Sequence, residues 1–201
     1  MRKFFGNHCR NRNLLLTFLR FWRIIIHMEA NKKLTIYLVR AVLIALTALT
    51  LFFILRNGLA TGETSAAESH AVTETVQEVV GAIDPDSPIA TATGEEFDAL
   101  HASVRTFAHF FEYFLLGLFS FGAFLSFALP NRWKFAFLPP CLSVVTIALD
   151  ECLQGLTAGR AAQLLDVLVD MAGSAVGAGV ALLIFSLLQV RGKRKCQKQT
   201  Q

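Results

Sequence analysis

Four apolar stretches dominate the sequence, and their length constrains the fold more than any other feature. A membrane-spanning helix needs about 20 predominantly apolar residues to cross roughly 30 Å of hydrocarbon. A backbone in lipid must satisfy its own hydrogen bonds, and the stretches lack strand-like alternation. The sequence therefore predicts an all-α integral membrane bundle of four transmembrane helices, at residues 35–55, 106–129, 133–153 and 165–189.

Composition supports a membrane location. Hydrophobic residues make up 54% of the chain, which holds 18 phenylalanines in 201 residues. A soluble domain of this size would expose too much of that apolar surface, so membrane lipids are the expected surroundings. The net charge of +4 suits anionic lipid headgroups, and no nucleic acid partner is expected.

Charge predicts the orientation. Lys and Arg concentrate in residues 1–34, in the connector "PNRWK" and in the tail 190–201, whereas the acidic segment 57–104 contains neither. Because cytoplasmic loops carry the excess of Lys and Arg, both termini are predicted to be cytoplasmic and 57–104 to be an outer loop.

The first residues allow two interpretations. The run "NLLLTFLRFWRIII" is interrupted by Arg20 and Arg23 and fits an interfacial amphipathic helix. Alternatively, translation begins at Met28, which leaves an ordinary basic lead-in to the first span.

The outer loop is predicted to contain a short amphipathic helix on the bilayer surface, because apolar residues recur at helical spacing and "DPDSP" then ends it. From Glu95 onward the pattern is helical again and leads into the second span. His101 is expected to be a solvated loop residue. The apolar positions of the surface helix are Val72, Val76, Val79, Val80 and Ile83.

Ionisable side chains lie at the outer ends of three predicted spans. A charge at the bilayer centre costs at least about 2.5–3.5 kcal/mol, so such groups should face one another or water. Helical spacing places them on shared faces. We expect an outward-facing polar pocket formed by Arg105, His109, Glu112, Asp150, Glu151, Gln154, Arg160, Asp166 and Asp170.

Small residues continue the stripe begun by Asp166 and Asp170. Gly173 and Gly177 follow at steps of three and four and form a GxxxG pattern. Because glycines let helix backbones approach closely, we expect both to serve helix packing.

Two motifs resemble the VanZ-like family, a bacterial membrane family named for a teicoplanin-resistance determinant. They are "VRTFAHFFEYFLLG" and "DECLQGLTAGRAAQLLDVLVDMAGSAVG". The resemblance implies a VanZ-like four-helix membrane domain at 35–189, flanked by the basic segments 1–34 and 190–201. The matching positions are Arg105, His109, Glu112, Tyr113, Asp150, Glu151, Gln154, Gly159, Arg160, Asp166, Asp170 and Gly173.

Two positions depart from the family pattern. Thr106 stands where a lysine is common, and Leu153 stands where many members have a histidine. The second departure weakens any metal site that would need two histidines.

The resemblance implies a multi-pass protein of the bacterial cell membrane. Some members give low-level protection against lipoglycopeptide antibiotics, without an established reaction. The expected ligand is therefore a lipid-linked cell-wall precursor or a lipoglycopeptide. No cofactor is expected, and the alternative is that the carboxylate cluster holds a divalent cation.

Four roles remain open for the polar residues. They could hold the helix ends in register through ion pairs, bind an envelope ligand, catalyse an acid–base or metal-assisted hydrolase or transferase reaction, or relay ions. A relay is disfavoured because the lower parts of the last three spans lack titratable groups. The catalytic candidates are His109, Glu112, Asp150, Glu151 and Asp166.

Overall fold

A computed structural model describes residues 32–127, 132–159 and 163–199, which contain helices and no strands. The all-α prediction is confirmed over these residues. The segment before Met28 and the predicted pocket residue Arg160 lie outside them. The helices are α1 (Lys32–Gly58), α2 (Gly62–Ile83), α3 (Glu95–Ser126), α4 (Leu138–Leu156) and α5 (Leu164–Gln199), with a short 3-10 helix at Arg132–Phe135.

The chain divides into two compact units, Met1–Val42 and Leu43–Gln201. In the described part of the first unit, the Arg40 guanidinium lies 5.7 Å from the centroid of the Tyr37 ring. This distance places the cation over an aromatic face. All of the contacts described below belong to the second unit.

Three helices are long and apolar enough to cross a membrane: Leu34–Gly58, Glu95–Ser126 and Leu164–Gln189. The predicted third span is present as α4, a helix of 19 residues, but α4 is not among the helices that are apolar enough to cross a membrane. Two prolines occupy its first turn, and Asp150, Glu151 and Gln154 lie near its end. These residues lower its hydropathy, so the predicted count of four spans is not confirmed.

The predicted helix in the 57–104 segment is present as α2, which begins earlier than its valines indicated. The Thr61 hydroxyl accepts a hydrogen bond from the Thr64 amide and caps the first turn. At the other end, Asp84 and the proline that follows it stop the helix.

The prediction that His101 lies in a solvated loop is wrong. Because α3 extends back to Glu95, His101 is part of that helix and is half-buried against α2. Its Nε2 atom lies 2.6 Å from the Ser69 hydroxyl oxygen. Nearby, the rings of His70 and Phe97 lie 4.9 Å apart and add to this contact between the two helices.

Close packing fixes the register of α3 and α5. A Cβ atom on Gly173 would meet the Phe110 carbonyl oxygen, and one on Gly177 would meet that of Phe114. From the other side, a Cβ on Gly117 would meet the Ser174 carbonyl oxygen. Residue numbers rise together along both helices, so α3 and α5 are parallel.

Helices α1 and α4 run antiparallel to α3. Asn57 contacts Glu112 while Leu43 lies near Gly122, so numbers rise along α1 as they fall along α3. Likewise, α4 places Asp150 against Tyr113 and Ser143 against Ser174. A buried cluster joins α1, α3 and α4 just below the polar residues: Ile54, Tyr113, Leu116 and Ile147.

Candidate functional site

Polar side chains from four helices meet in a cavity of about 210 Å³ at one end of the second unit. The end of α1, one face of α2, the first half of α3 and the end of α4 form its walls. Its ionisable lining consists of Glu68, Arg105, His109, Glu112 and Asp150. This end carries the first turns of α5 and the last turns of α4.

Asp150 is buried at the wall of this cavity, where described residues of α3 and α4 donate hydrogen bonds to it. The Tyr113 hydroxyl donates to its Oδ2 atom over 3.4 Å, and the Gln154 side-chain amide donates to the same atom over 3.1 Å. Tyr113 and Gln154 are themselves almost fully buried. These two hydrogen bonds fix the orientation of the Asp150 carboxylate beside the cavity.

The end of α1 closes the cavity, although its contribution was not predicted. The Asn57 amide donates to Glu112 Oε1 over 2.7 Å. Beside it, a Cβ atom on Gly58 would meet Asp150 Oδ1, so a larger residue there would require that carboxylate to shift. The sequence signal was present but weak: a polar residue and a glycine directly follow the apolar run of the first span.

Arg105 and Asp166 form an ion pair between α3 and α5, with Nη2 and Oδ2 3.3 Å apart. The arginine side chain is 40% exposed, whereas that of the aspartate is 10% exposed. Because one partner reaches solvent, the pair should contribute modestly and respond to salt.

One turn further along the same two helices, His109 faces Asp170. His109 Nδ1 and Asp170 Oδ1 lie 3.5 Å apart, and the Asp170 side chain is fully buried. Among the described residues, neither Asp170 oxygen has a hydrogen-bond partner. The distance therefore fits a charge contact more closely than a well-formed hydrogen bond.

His109, Asp150 and Asp170 converge. Each offers one metal-ligating atom, and the three atoms lie within 4.8 Å of one another. An imidazole nitrogen and two carboxylate oxygens form a donor set that divalent metals accept, and the same groups can exchange protons with a bound substrate.

The predicted pocket residues thus fall into two groups. Arg105, His109, Glu112, Asp150 and Gln154 line the cavity, whereas Asp166 and Asp170 contact two of these residues from α5. Among the described residues, Glu151 does not line the cavity, and its partly buried side chain has one oxygen without a hydrogen bond. The prediction did not include Asn57, Gly58 or Glu68, and it named Tyr113 only as a position that matches the family motif, outside the pocket.

Comparison with known proteins gives one family. The model of the VanZ/LLP1 family matches residues 39–186, which include most of α1, all of α2, α3 and α4, and most of α5. Searches of the curated proteins and of the solved structures found no match. Since the family model covers most of the chain and three helices are apolar enough to cross a membrane, this multi-pass protein belongs to the VanZ/LLP1 family.

Proposed function

We propose that this protein binds the polar part of a lipid-linked or other envelope ligand in its polar cavity. The observation that supports this proposal is that polar side chains from four helices line one cavity, while many large apolar side chains are exposed on the exterior. A ligand with a hydrocarbon tail could keep the tail in the bilayer while its polar part enters the cavity. Through this binding, the protein would act in teicoplanin-type resistance or in the cell envelope.

The lining indicates which polar groups the ligand carries. Three carboxylates face the cavity together with one guanidinium and one imidazole. Amines and sugar hydroxyls can donate hydrogen bonds to the carboxylates, while Arg105 can contact an anionic group. Lipoglycopeptides and lipid-linked cell-wall precursors combine these features.

We further propose that α4 is the fourth membrane crossing. Two candidate spans, α3 and α5, are parallel, so the chain between them must return across the bilayer. The antiparallel helix α4 lies in that part of the chain, and 19 residues extend about 28 Å. This length is close to the thickness of the hydrocarbon core.

The orientation follows from the same order of helices. With four crossings, the start of α1, the 3-10 helix before α4 and the end of α5 lie at the end opposite the cavity, and the basic residues of the sequence concentrate beside these positions. The positive-inside rule places that basic end in the cytoplasm of a bacterial cell. The cavity then opens at the outer surface, where envelope ligands are found.

The resistance role can be tested in a teicoplanin-susceptible bacterium that expresses the chain. We expect the wild type to raise the minimum inhibitory concentration and Glu112→Gln and Asp150→Asn to abolish the increase at unchanged membrane abundance. Glu74→Gln is the control, because that carboxylate lies on α2 outside the cavity lining and pairs with His70. Equal resistance in all four strains would contradict the proposal.

Binding can be measured directly with the purified chain in lipid nanodiscs. Fluorescent teicoplanin and a lipid-linked cell-wall precursor would be titrated separately onto the wild type and the same variants. Binding that requires Glu112 and Asp150 but not Glu74 would support the proposal and identify the ligand. If the cavity variants instead lose thermal stability and bind normally, the polar residues serve only as a scaffold.

A membrane-embedded hydrolase or transferase is the second candidate. The proximity of His109, Asp150 and Asp170 favours it, because carboxylates next to an imidazole can act as acid and base. Mass spectrometry of the precursor after incubation with the protein distinguishes the candidates: conversion indicates an enzyme, and recovery of intact precursor indicates binding alone.

A further inference from the structure

The geometry points to a divalent transition-metal site formed by His109 of α3, Asp150 of α4 and Asp170 of α5. The ligating atoms of the three side chains lie within 4.8 Å of one another. Two ligands about 2.1 Å from one zinc ion can lie at most about 4.2 Å apart. Side-chain movements of a few tenths of an ångström would therefore bring all three atoms to bonding distance.

Asp170 supplies an independent indication of a ligand. Its side chain is fully buried, and neither oxygen has a hydrogen-bond partner among the described residues. A buried carboxylate without hydrogen bonds carries a large desolvation penalty, which a neighbouring imidazole at 3.5 Å offsets only in part. A divalent cation bound by Asp170 would compensate the charge of that carboxylate.

The surroundings of Asp150 match those of a metal-bound carboxylate. The buried Tyr113 hydroxyl and Gln154 amide both donate to Oδ2, which orients the side chain. Hydrogen bonds of this kind commonly orient ligands around protein-bound metals, and their loss often weakens binding by about 10–100-fold.

The donor set indicates which ions fit. One nitrogen and two carboxylate oxygens suit zinc or manganese, whereas magnesium and calcium prefer oxygen ligands alone. Three protein ligands leave coordination positions open. Since His109 and Asp150 line the cavity, an ion held there would be accessible to a ligand in the cavity.

The test is the affinity of the purified full chain for Zn²⁺, after removal of metals with a chelator and purification through a tag without histidines. We expect one equivalent of zinc to bind the wild type. The affinity should fall by at least about tenfold in Asp170→Asn and in His109→Gln. The second variant keeps the inference testable if the first does not fold.

Asp98→Asn is the matched control, because it makes the same change at an exposed carboxylate in the first turn of α3, outside the cavity lining. It should bind zinc like the wild type. A wild type that binds no zinc, or an Asp98→Asn variant as weak as Asp170→Asn, would overturn the inference. The measurement contains neither antibiotic nor precursor, so its failure would leave the proposed ligand binding untouched.

Discussion

His109 on α3 and Asp170 on α5 face each other with 3.5 Å between Nδ1 and Oδ1. One turn earlier on both helices, Arg105 and Asp166 face each other in the same way. Two charge contacts spaced by four residues on each of two parallel helices require a single register. The glycine contacts further along α5 give the same register. The polar site and the helix packing are therefore parts of one interface.

Gly177→Ala should destabilise the protein by about 1–3 kcal/mol, because the added Cβ would collide with the Phe114 carbonyl oxygen. The readout is thermal unfolding in detergent. Gly179→Ala is the control, since a Cβ there meets nothing within 4 Å. Alanine at that helical position should leave stability unchanged or raise it. Equal effects of the two substitutions would contradict the packing described here.

Tyr113→Phe removes a hydrogen-bond donor to Asp150 without changing the ring. The loss of a buried hydrogen bond to a charged group should cost about 1.5–3 kcal/mol. Tyr37→Phe, at an exposed residue, should change little. Chemical unfolding of both variants in mixed micelles measures the difference. An unchanged Tyr113→Phe variant would mean that the hydroxyl does not support Asp150.

Arg105→Gln leaves Asp166 nearly buried without its positive partner. We expect a moderate loss of stability that shrinks at high salt, because the arginine reaches solvent. Adding Asp166→Asn should restore part of the loss. The exposed pair between Arg56 and Glu68 provides the comparison, since Arg56→Gln should have an effect near zero. Additive effects of the two substitutions at Arg105 and Asp166 would show that these side chains do not interact.

Ser174 and Ser143 join α5 to α4 through a buried hydrogen bond of 2.7 Å between their hydroxyls. A double-mutant cycle with alanine should give a coupling energy of about 0.6 kcal/mol, the average for such bonds between membrane helices. Refolding equilibria of the wild type, both single variants and the double variant provide the four values. A coupling energy of zero would indicate that the hydroxyls do not meet in the folded protein.

The crossing by α4 can be tested with reporter fusions. Alkaline phosphatase should be inactive when fused after Phe135 and active when fused after Gly159, because these residues flank α4. A fluorescent protein at the C-terminus should fluoresce, as expected for a cytoplasmic tail. Equal phosphatase activity at the two positions would show that α4 does not cross.

The sequence predicted the helices better than the contacts between them. Apolar length indicates a span regardless of its neighbours, so α1, α3 and α5 could be placed in advance. The spacing of Arg105 and His109, and of Asp166 and Asp170, put each pair on one helix face. Which helix faces contact each other depends on the register between the helices. The glycines of α5 indicated where that helix packs closely, but not which residues of α3 it contacts.

The missed residues have physical explanations. Asn57 and Gly58 enter the site because α1 ends at the depth of Glu112, near the middle of α3, and no local pattern encodes that coincidence. The Tyr113 ring packs in a buried cluster, and its hydroxyl also donates a hydrogen bond to Asp150 on α4. Asp150 and Gln154, which line the cavity, also lower the hydropathy of α4.

The most direct test is an electron cryo-microscopy map of the full chain in a lipid nanodisc, resolved well enough to show side chains. We expect His109, Glu112, Asp150 and Asp170 to converge beside one cavity at the end of the bundle where α1 ends and α5 begins. A map in which these side chains point apart or face lipid would show that the polar site does not exist.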